Sequence, residues 1–359
     1  MLKKMNKTTK NNLITYAMVI LAFVIMQILI SAGSISSLLQ GLMVPLCTYI
    51  ILAVSLNLVV GILGELSLGH AGFMCVGAFT SAFFSKCTRD VIASDGLRFF
   101  LALLIGIVTA AIFGMLIGIP VLRLKGDYLA IVTLAFGEII KNMVNLLYIG
   151  KDSKGFHVTT KDVMALNMDA DGTVILNGPQ GITGTPKNST FVIGFILILL
   201  TLFIVQNLIN SRDGRAIMAI RDNRIAAESI GINITKYKLM AFTISAAMAG
   251  AAGVLYAHNI STLTANTNNF GYNMSITILV FVVLGGIGNI RGSIIAAVIL
   301  TLLPELLRGM KDYRMLIYAI VLIVMMLFNW SPKAIEWREK LNDWRKKHFS
   351  FGKKAKEVE

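Results

Sequence analysis

Polar residues in this chain fall in short clusters between long apolar runs. The runs are about 13–31, 40–62, 66–85, 99–122, 128–149, 190–209, 239–257, 273–289, 292–308 and 314–330. Most approach the ~20 apolar residues that carry an α-helix across the hydrocarbon core. They are apolar on every face, whereas the strands of a membrane barrel alternate apolar and polar. Within lipid every backbone N–H and C=O needs an internal partner, which leaves helices. The pattern predicts an all-α integral membrane protein of about ten transmembrane helices, or eight to ten by the strictness of the count. Run 66–85 is the weakest, because Gly69, His70, Gly72 and Gly77 interrupt it. Runs 273–289 and 292–308 also fit one re-entrant unit.

Composition agrees with a membrane chain. Of 359 residues 56% are hydrophobic and 14% charged, where a soluble protein carries about 25% charge. So little charge does not cover a globular surface. Lysines and arginines orient the spans. With the N-terminus inside, Lys3, Lys4, Lys7, Lys10, Arg123, Lys125, Arg291, segment 210–238 and the tail hold two-thirds of the 33 basic residues. That bias predicts both termini in the cytoplasm. The net charge of +14 then serves topology and anionic lipid and needs no nucleic acid. A cleavable signal peptide is the rival reading of residues 1–31, but its Ala-x-Ala-like site is weak, so a retained helix is expected.

The expected organisation is a basic cytoplasmic N-terminus (1–12), one transmembrane domain (13–330) and a basic cytoplasmic tail (331–359). The tail reads as an interfacial helix bearing Trp337 and Trp344, followed by disorder. Outer loop 150–189, ending NGPQGITGTP, reads as tight turns and is too short for a domain. Cys47, Cys75 and Cys87 have neither paired nor metal-ligand spacing and read as small buried hydrophobes. No HExxH, GxSxG, CxxC or GxxxxGK[ST] occurs, so no enzyme and no ATP site is expected. Uphill transport would draw on an ion gradient or on another subunit.

Ionisable residues inside spans are functional candidates. Glu138 and Lys141 stand at i, i+3 spacing and suit an ion pair, either beside a solute path or as a structural pair. Glu305 follows Pro304, as at a kinked helix end. His70, in GELSLGHAGF, suits a packed histidine or a path-lining one. Small residues Ser245, Ala246, Ala249, Gly250 and Gly253, and the pair Gly114 and Gly118, permit close helix approach, within the monomer or at a subunit interface. GILGEL (61–66) resembles GGIGNI (285–290), which reads as similar turn chemistry or chance.

Residues 211–232, SRDGRAIMAIRDNRIAAESIGI, are a charged segment between two apolar runs. Ser211 suits a cap and Asp213-Gly214 a turn. A helix is expected from Arg215, closed at Gly231. Ile217, Met218, Ile220 and Ile225 would form an apolar patch, with Arg221, Arg224 and Glu228 following at helical spacing. The residues fit both a helix lying on the membrane surface and a helix presented to a cytoplasmic partner.

Five stretches, in order, resemble one family: GELSLGHAGFMCVGAFTSA (64–82), LRLKGDYLAIVTLAFGEII (122–140), NGPQGITG (177–184), the run from Gly214 to Ala257, and VVLGGIGNIRGSIIAAVILTLLPELLR (282–308). They look like the branched-chain amino acid ABC importer permeases, and within them the larger, M-type permease of the leucine/isoleucine/valine system. Permeases for urea and short amides look similar. The resemblance implies a channel subunit in the plasma (inner) membrane of a bacterium that binds no cofactor itself. Its implied partners are two cytoplasmic ABC ATPase subunits that hydrolyse ATP, a second homologous permease in a hetero-dimer, and an extracytoplasmic substrate-binding protein. Segment 211–232 becomes an ATPase-coupling helix through Gly214, Arg215, Ala219, Arg221, Arg224, Ala226, Ala227, Glu228 and Gly231. Ser67, His70, Thr133 and Glu138, polar positions in apolar spans, are the expected solute contacts. A stand-alone secondary transporter is the rival class, and it would want more paired intramembrane carboxylates.

Overall fold

The computed structural model describes residues 7–330, apart from 34–35, 90, 125, 170–171 and 310–312. The interfacial helix expected around Trp337 and Trp344 lies outside the described residues. The chain divides into two compact units, with the boundary between Val298 and Ile299.

In the first unit the apolar runs become helices α1 (Lys7–Ser31), α2 (Ser37–Asn57), α3 (His70–Cys87), α4 (Asp95–Val121), α5 (Asp127–Leu146) and α6 (Phe191–Asn210). Short helices α7 (Arg212–Asp222) and α8 (Arg224–Ser229) precede α9 (Ile234–Ala257), α10 (Thr267–Phe270) and α11 (Tyr272–Gly285). Helix α12 (Ile290–Leu306) follows a turn after α11, so 273–308 forms two helices joined at 286–289. Among the described residues, eight helices are long and apolar enough to cross a membrane. α3, with its glycines and histidine, is not among them.

Helix α2 ends in a π-helical turn, Leu58–Leu63, closed by Gly64 at φ +79°. Residues 64–69 are not helical, so the run predicted from 66 starts its helix only at His70. π turns inside longer helices recur at functional sites. The neighbours of the π turn are α7, α9 and the 286–289 turn.

The core forms around α9. Its small stripe, Ala241, Ser245, Ala246, Ala249, Gly250 and Gly253, is buried inside the monomer. A Cβ on Gly253 would lie 2.1 Å from the Met74 carbonyl oxygen, and one on Gly250 would lie 2.4 Å from Ala110 Cβ. Gly114 meets Ala246 in the same way. The small residues therefore serve packing within the chain. Helix α1 rests on α6 through Phe23, stacked 3.8 Å from Phe195 between ring centroids. Outward faces of α1, α4, α5 and α6 carry large apolar side chains, the surface a bilayer solvates.

The loop expected to hold only turns contains sheet. Strands β1 (Tyr148–Asp152), β2 (Gly155–Thr159) and β3 (Thr173–Asn177) form an antiparallel sheet in the order β2-β1-β3, and β4 (Ile182–Thr183) pairs with β5 (Thr262–Leu263). A run of only five residues per strand, broken by glycines, carried little alternation to reveal it. Burial would raise the pKa of Asp152. Backbone N–H groups of Lys154, Asp169 and Gly155, with His157 2.9 Å away, outweigh burial and hold that carboxyl below its ordinary value of 3.8.

The second unit holds the last turns of α12, a 3-10 turn over Leu307–Gly309 and α13 (Arg314–Trp330). Pro304 lies inside α12, and Glu305 accepts from Arg308 Nη1 at 2.9 Å.

Two outcomes follow. Gly253→Val lowers the thermal midpoint of the purified protein, because overpacking costs ~1–3 kcal/mol, while Gly41→Ala, which meets nothing within 4 Å, leaves it unchanged. Asp152 contributes stability above its ordinary pKa and loses it as pH falls through the lower folded value. Protection factors of the amides in 148–159, taken relative to the intrinsic exchange rate at each pH, therefore fall on acidification below about pH 3.8, and Asp152→Asn removes that pH dependence.

Candidate functional site

Segment 211–232 is two helices, not the single helix expected from Arg215. Three caps build it. Ser211 Oγ accepts from Gly214 N at 3.0 Å and starts α7, so Asp213 and Gly214 lie in the first helical turn rather than in a loop. Asn223 is extended (φ −155°, ψ 104°), which ends α7, and its Oδ1 accepts from Ala226 N to start α8. Asn233 caps α9 in the same manner. Short polar side chains compete with the helix ladder for backbone groups, which is why Asn223 breaks a run of good helix formers. Gly231, at φ +83°, closes α8 as a left-handed C-terminal residue does.

The apolar patch also divides. Ile217 and Ile220 are buried, Ala227 is 2% exposed, and Ile220 and Ala227 pack with Ile234 and Tyr237. Ile225 and Ile230 instead point outward, 81% and 74% exposed. Arg215, Arg224, Ala226 and Glu228 share that exposed surface. Ala219 is half-buried against the small core. Gly214 is required by space: a Cβ there would lie 2.1 Å from the Leu208 carbonyl oxygen.

Arg221 faces the other way. Its Nε and Nη2 donate to Asp222 Oδ1 at 3.0 and 2.9 Å, and its Nη1 donates to the Gly61 carbonyl at 3.1 Å. Its stem lies against Gly64, where a Cβ would come within 2.6 Å of Arg221 Cγ. This arginine joins α7 to the π turn. A second tie, the buried ion pair of Lys238 with Glu65, joins α9 to the non-helical stretch.

Behind the π turn sits Asn57, fully buried. It donates to Ser293 Oγ at 2.9 Å and accepts from Gly288 N at 2.9 Å. A Cβ on Gly61 would lie 2.3 Å from Gly288 N. The two look-alike turns, 61–66 and 285–290, therefore pack against each other. Asn57, Glu65 and Lys238 were not singled out from sequence. A lone Asn late in an apolar run was the available signal for the first.

Three of the four expected solute contacts come together and one stands apart. Ser67 is 1% exposed in the non-helical stretch. His70 Nε2 and Ser55 Oγ share a hydrogen bond of 2.7 Å. Thr133 Oγ1 accepts from Leu68 N at 3.1 Å and donates to the Ala130 carbonyl. α3 and α5 meet there through Gly69, whose Cβ would lie 2.0 Å from the Thr133 carbonyl oxygen. Glu138 pairs with Lys141, as the spacing predicted, and its Oε1 accepts from Tyr272 N at 2.8 Å. Lys141 also donates to Thr267 Oγ1 at 3.2 Å. A carboxylate at the N-terminus of α11 complements that helix dipole, so Glu138 fastens α10–α11 to α5. Among the described residues, no group of three or more His, Cys, Asp or Glu is arranged to hold a metal ion.

Comparison with known proteins gives the family. Residues 38–328 match the family model described as "Branched-chain amino acid transport system / permease component". The high-affinity branched-chain amino acid transport system permease protein LivM of Salmonella typhimurium is 35% identical, over 91% of this chain and 75% of its own length. LivM of Escherichia coli K12 is 33% identical over the same shares. The permease protein LivH of Escherichia coli K12 is 25% identical over 70% of this chain and 79% of its own. No solved structure matches the chain.

The buried pair sets a clear expectation. Lys238→Met alone leaves Glu65 uncompensated and costs ~3–5 kcal/mol, read as a fall in thermal midpoint. Adding Glu65→Gln recovers most of the loss, and equal midpoints for single and double variants would disprove the pairing.

Proposed function

The chain belongs to the branched-chain amino acid transport permease family and is a multi-pass membrane protein; on that premise we propose that it is the permease subunit of an ATP-driven importer of branched-chain amino acids in a bacterial plasma (inner) membrane. Both termini and α7–α8 face the cytoplasm. Two ABC ATPase subunits bind there and hydrolyse ATP, since this sequence has no phosphate-cradling loop. A second, homologous permease completes the pore, and an extracytoplasmic binding protein delivers the solute. This subunit performs no covalent chemistry and holds no cofactor.

One observation carries the proposal: α8 presents Arg224, Ile225, Glu228 and Ile230 outward while Arg221, one turn earlier, holds the carbonyl of Gly61. An exposed apolar pair rimmed by charge has the composition of a protein contact. The arginine supplies the route inward. ATPase closure moves α7–α8; Arg221 passes the movement to the π turn; residues 64–69 lead directly to Ser67 and His70. The two-state element that coupling requires is the packing of 58–69 against the 285–293 turn. Ser67, His70 and Thr133 meet the solute, and Glu138 positions α11 beside them. Gly214, Ala219, Ala226, Ala227 and Gly231 shape the segment; Arg215 and Glu228 extend its contact face.

The test uses the assembled transporter in vesicles. Ile225→Asp with Arg224→Glu lowers ATPase-subunit retention and uptake at least tenfold while the amount of permease in the membrane is unchanged. Arg221→Ala keeps the ATPases bound yet uncouples hydrolysis from uptake. Normal transport by the Ile225→Asp, Arg224→Glu variant would sink the docking role. Full activity of His70→Ala with Glu138→Ala would remove those residues from the path.

A further inference from the structure

A cavity of about 630 Å³ opens between α3, α4 and α5 beneath the strands, within the size range of ligand pockets. Its walls include Phe79, Phe83, Ile105, Phe113, Met143 and Phe156. Phe113, Met143 and Phe156 are 36%, 53% and 57% exposed, so the cavity opens sideways on the lipid-facing side of α4 and α5.

The lining offers nothing to a zwitterion. Thr80 and Thr109 are its only hydroxyl-bearing side chains. Thr80 Oγ1 lies 2.7 Å from the Val76 carbonyl and Thr109 Oγ1 2.8 Å from the Ile105 carbonyl, and the two oxygens stand 3.0 Å apart, so their two protons are used within their own helices or between the pair. An amino acid's charged ends would be stranded there without partners. An occupant must be apolar along its length, and filling the void restores dispersion contacts that its walls otherwise lack.

The strand end of the cavity is cationic. Lys86 is the neighbour in sequence of Cys87, and Lys151 lies on β1 two residues from Ile149; Cys87 and Ile149 both line the wall. Lys86 Nζ donates to the Val174 carbonyl at 2.8 Å, which anchors it at the rim. Lys151 Nζ stands 6.0 Å from the centroid of Phe156. Among the described residues no carboxylate pairs with it. The neighbouring acid, Asp152, is turned to His157 and to backbone N–H groups. An apolar slot with Lys151 over the wall residue Phe156 and Lys86 beside the wall residue Cys87 matches an amphiphile with a negative head.

We propose that this cavity is a lipid site: it takes one acyl chain of an anionic phospholipid from the leaflet on the strand side, with the phosphate resting on Lys151 and Lys86. The site rests on the chain being a membrane protein and is independent of its cargo.

The test reconstitutes the permease in vesicles of equal phosphatidylglycerol and phosphatidylcholine, extracts it in mild detergent and counts retained lipid by native mass spectrometry. Phosphatidylglycerol is retained at about one per chain and at least tenfold over phosphatidylcholine. Lys151→Glu, an exchange at the rim, lowers retention at least fivefold without moving the thermal midpoint. Thr109→Phe, which fills the cavity, lowers it similarly. Equal retention of the two lipids, or undiminished phosphatidylglycerol in the Lys151→Glu variant, overturns the proposal. So does a cross-link from Cys87 to a second permease subunit, which would show that protein covers the opening.

Discussion

Close approach of backbones along α9 is the constraint on which this structure depends. Lipid tails are as apolar as leucine, so helices in a bilayer gain little from burying oil and rely on van der Waals contact and interhelical hydrogen bonds. Gly250 and Gly253 remove the side chains that would hold α3 and α4 away, and Ser245 adds a 2.6 Å hydrogen bond to the Ser55 carbonyl of α2. With α2, α3 and α4 drawn in, the π turn and residues Ser67 and Gly69 are buried, while Gly64 and Leu66 stay exposed. Arg221, Asn57 and Thr133 all bond to that stretch or to its flanking turn.

Enclosure demands that freed backbone groups find partners, and the partners define the site. Gly61 lends its carbonyl to Arg221, Leu68 N finds Thr133, and Gly288 N finds Asn57. Each bond crosses from one element to another. The irregular stretch is thereby linked to the surface helices, to α5 and to the turn before α12 at once.

Some of this was legible in the residues and some was not. Serine, asparagine and glycine at 211, 223, 231 and 233 are cap chemistry, and the reading of Ser211 and Gly231 stands. Asn223 was overlooked because the flanking residues all favour helix and an interior break costs little to conceal. The Glu138–Lys141 spacing predicted its own ion pair, since both partners lie on one helix. The use of Glu138 to hold Tyr272 N was not legible, because the partner lies 134 residues away. The likeness of 61–66 and 285–290, which reads from sequence as similar turn chemistry or chance, is a contact in the fold, where Gly61 meets the backbone of Gly288.

The sequence by itself determined the class and the segments: apolar length dictates helices in lipid, the placement of charge marks 211–232 as a segment outside the spans, and ordered motifs mark the family. Those properties are local, carried by composition and short spacing. Tertiary structure alone decided that the patch on 211–232 splits into a buried and an exposed half, that Arg221 reaches inward to Gly61, that Glu65 meets Lys238, and that α3, α4 and α5 leave an apolar slot with two lysines at its end. These depend on which surfaces meet across hundreds of residues, and pairwise geometry of that kind leaves no period or spacing along a single chain.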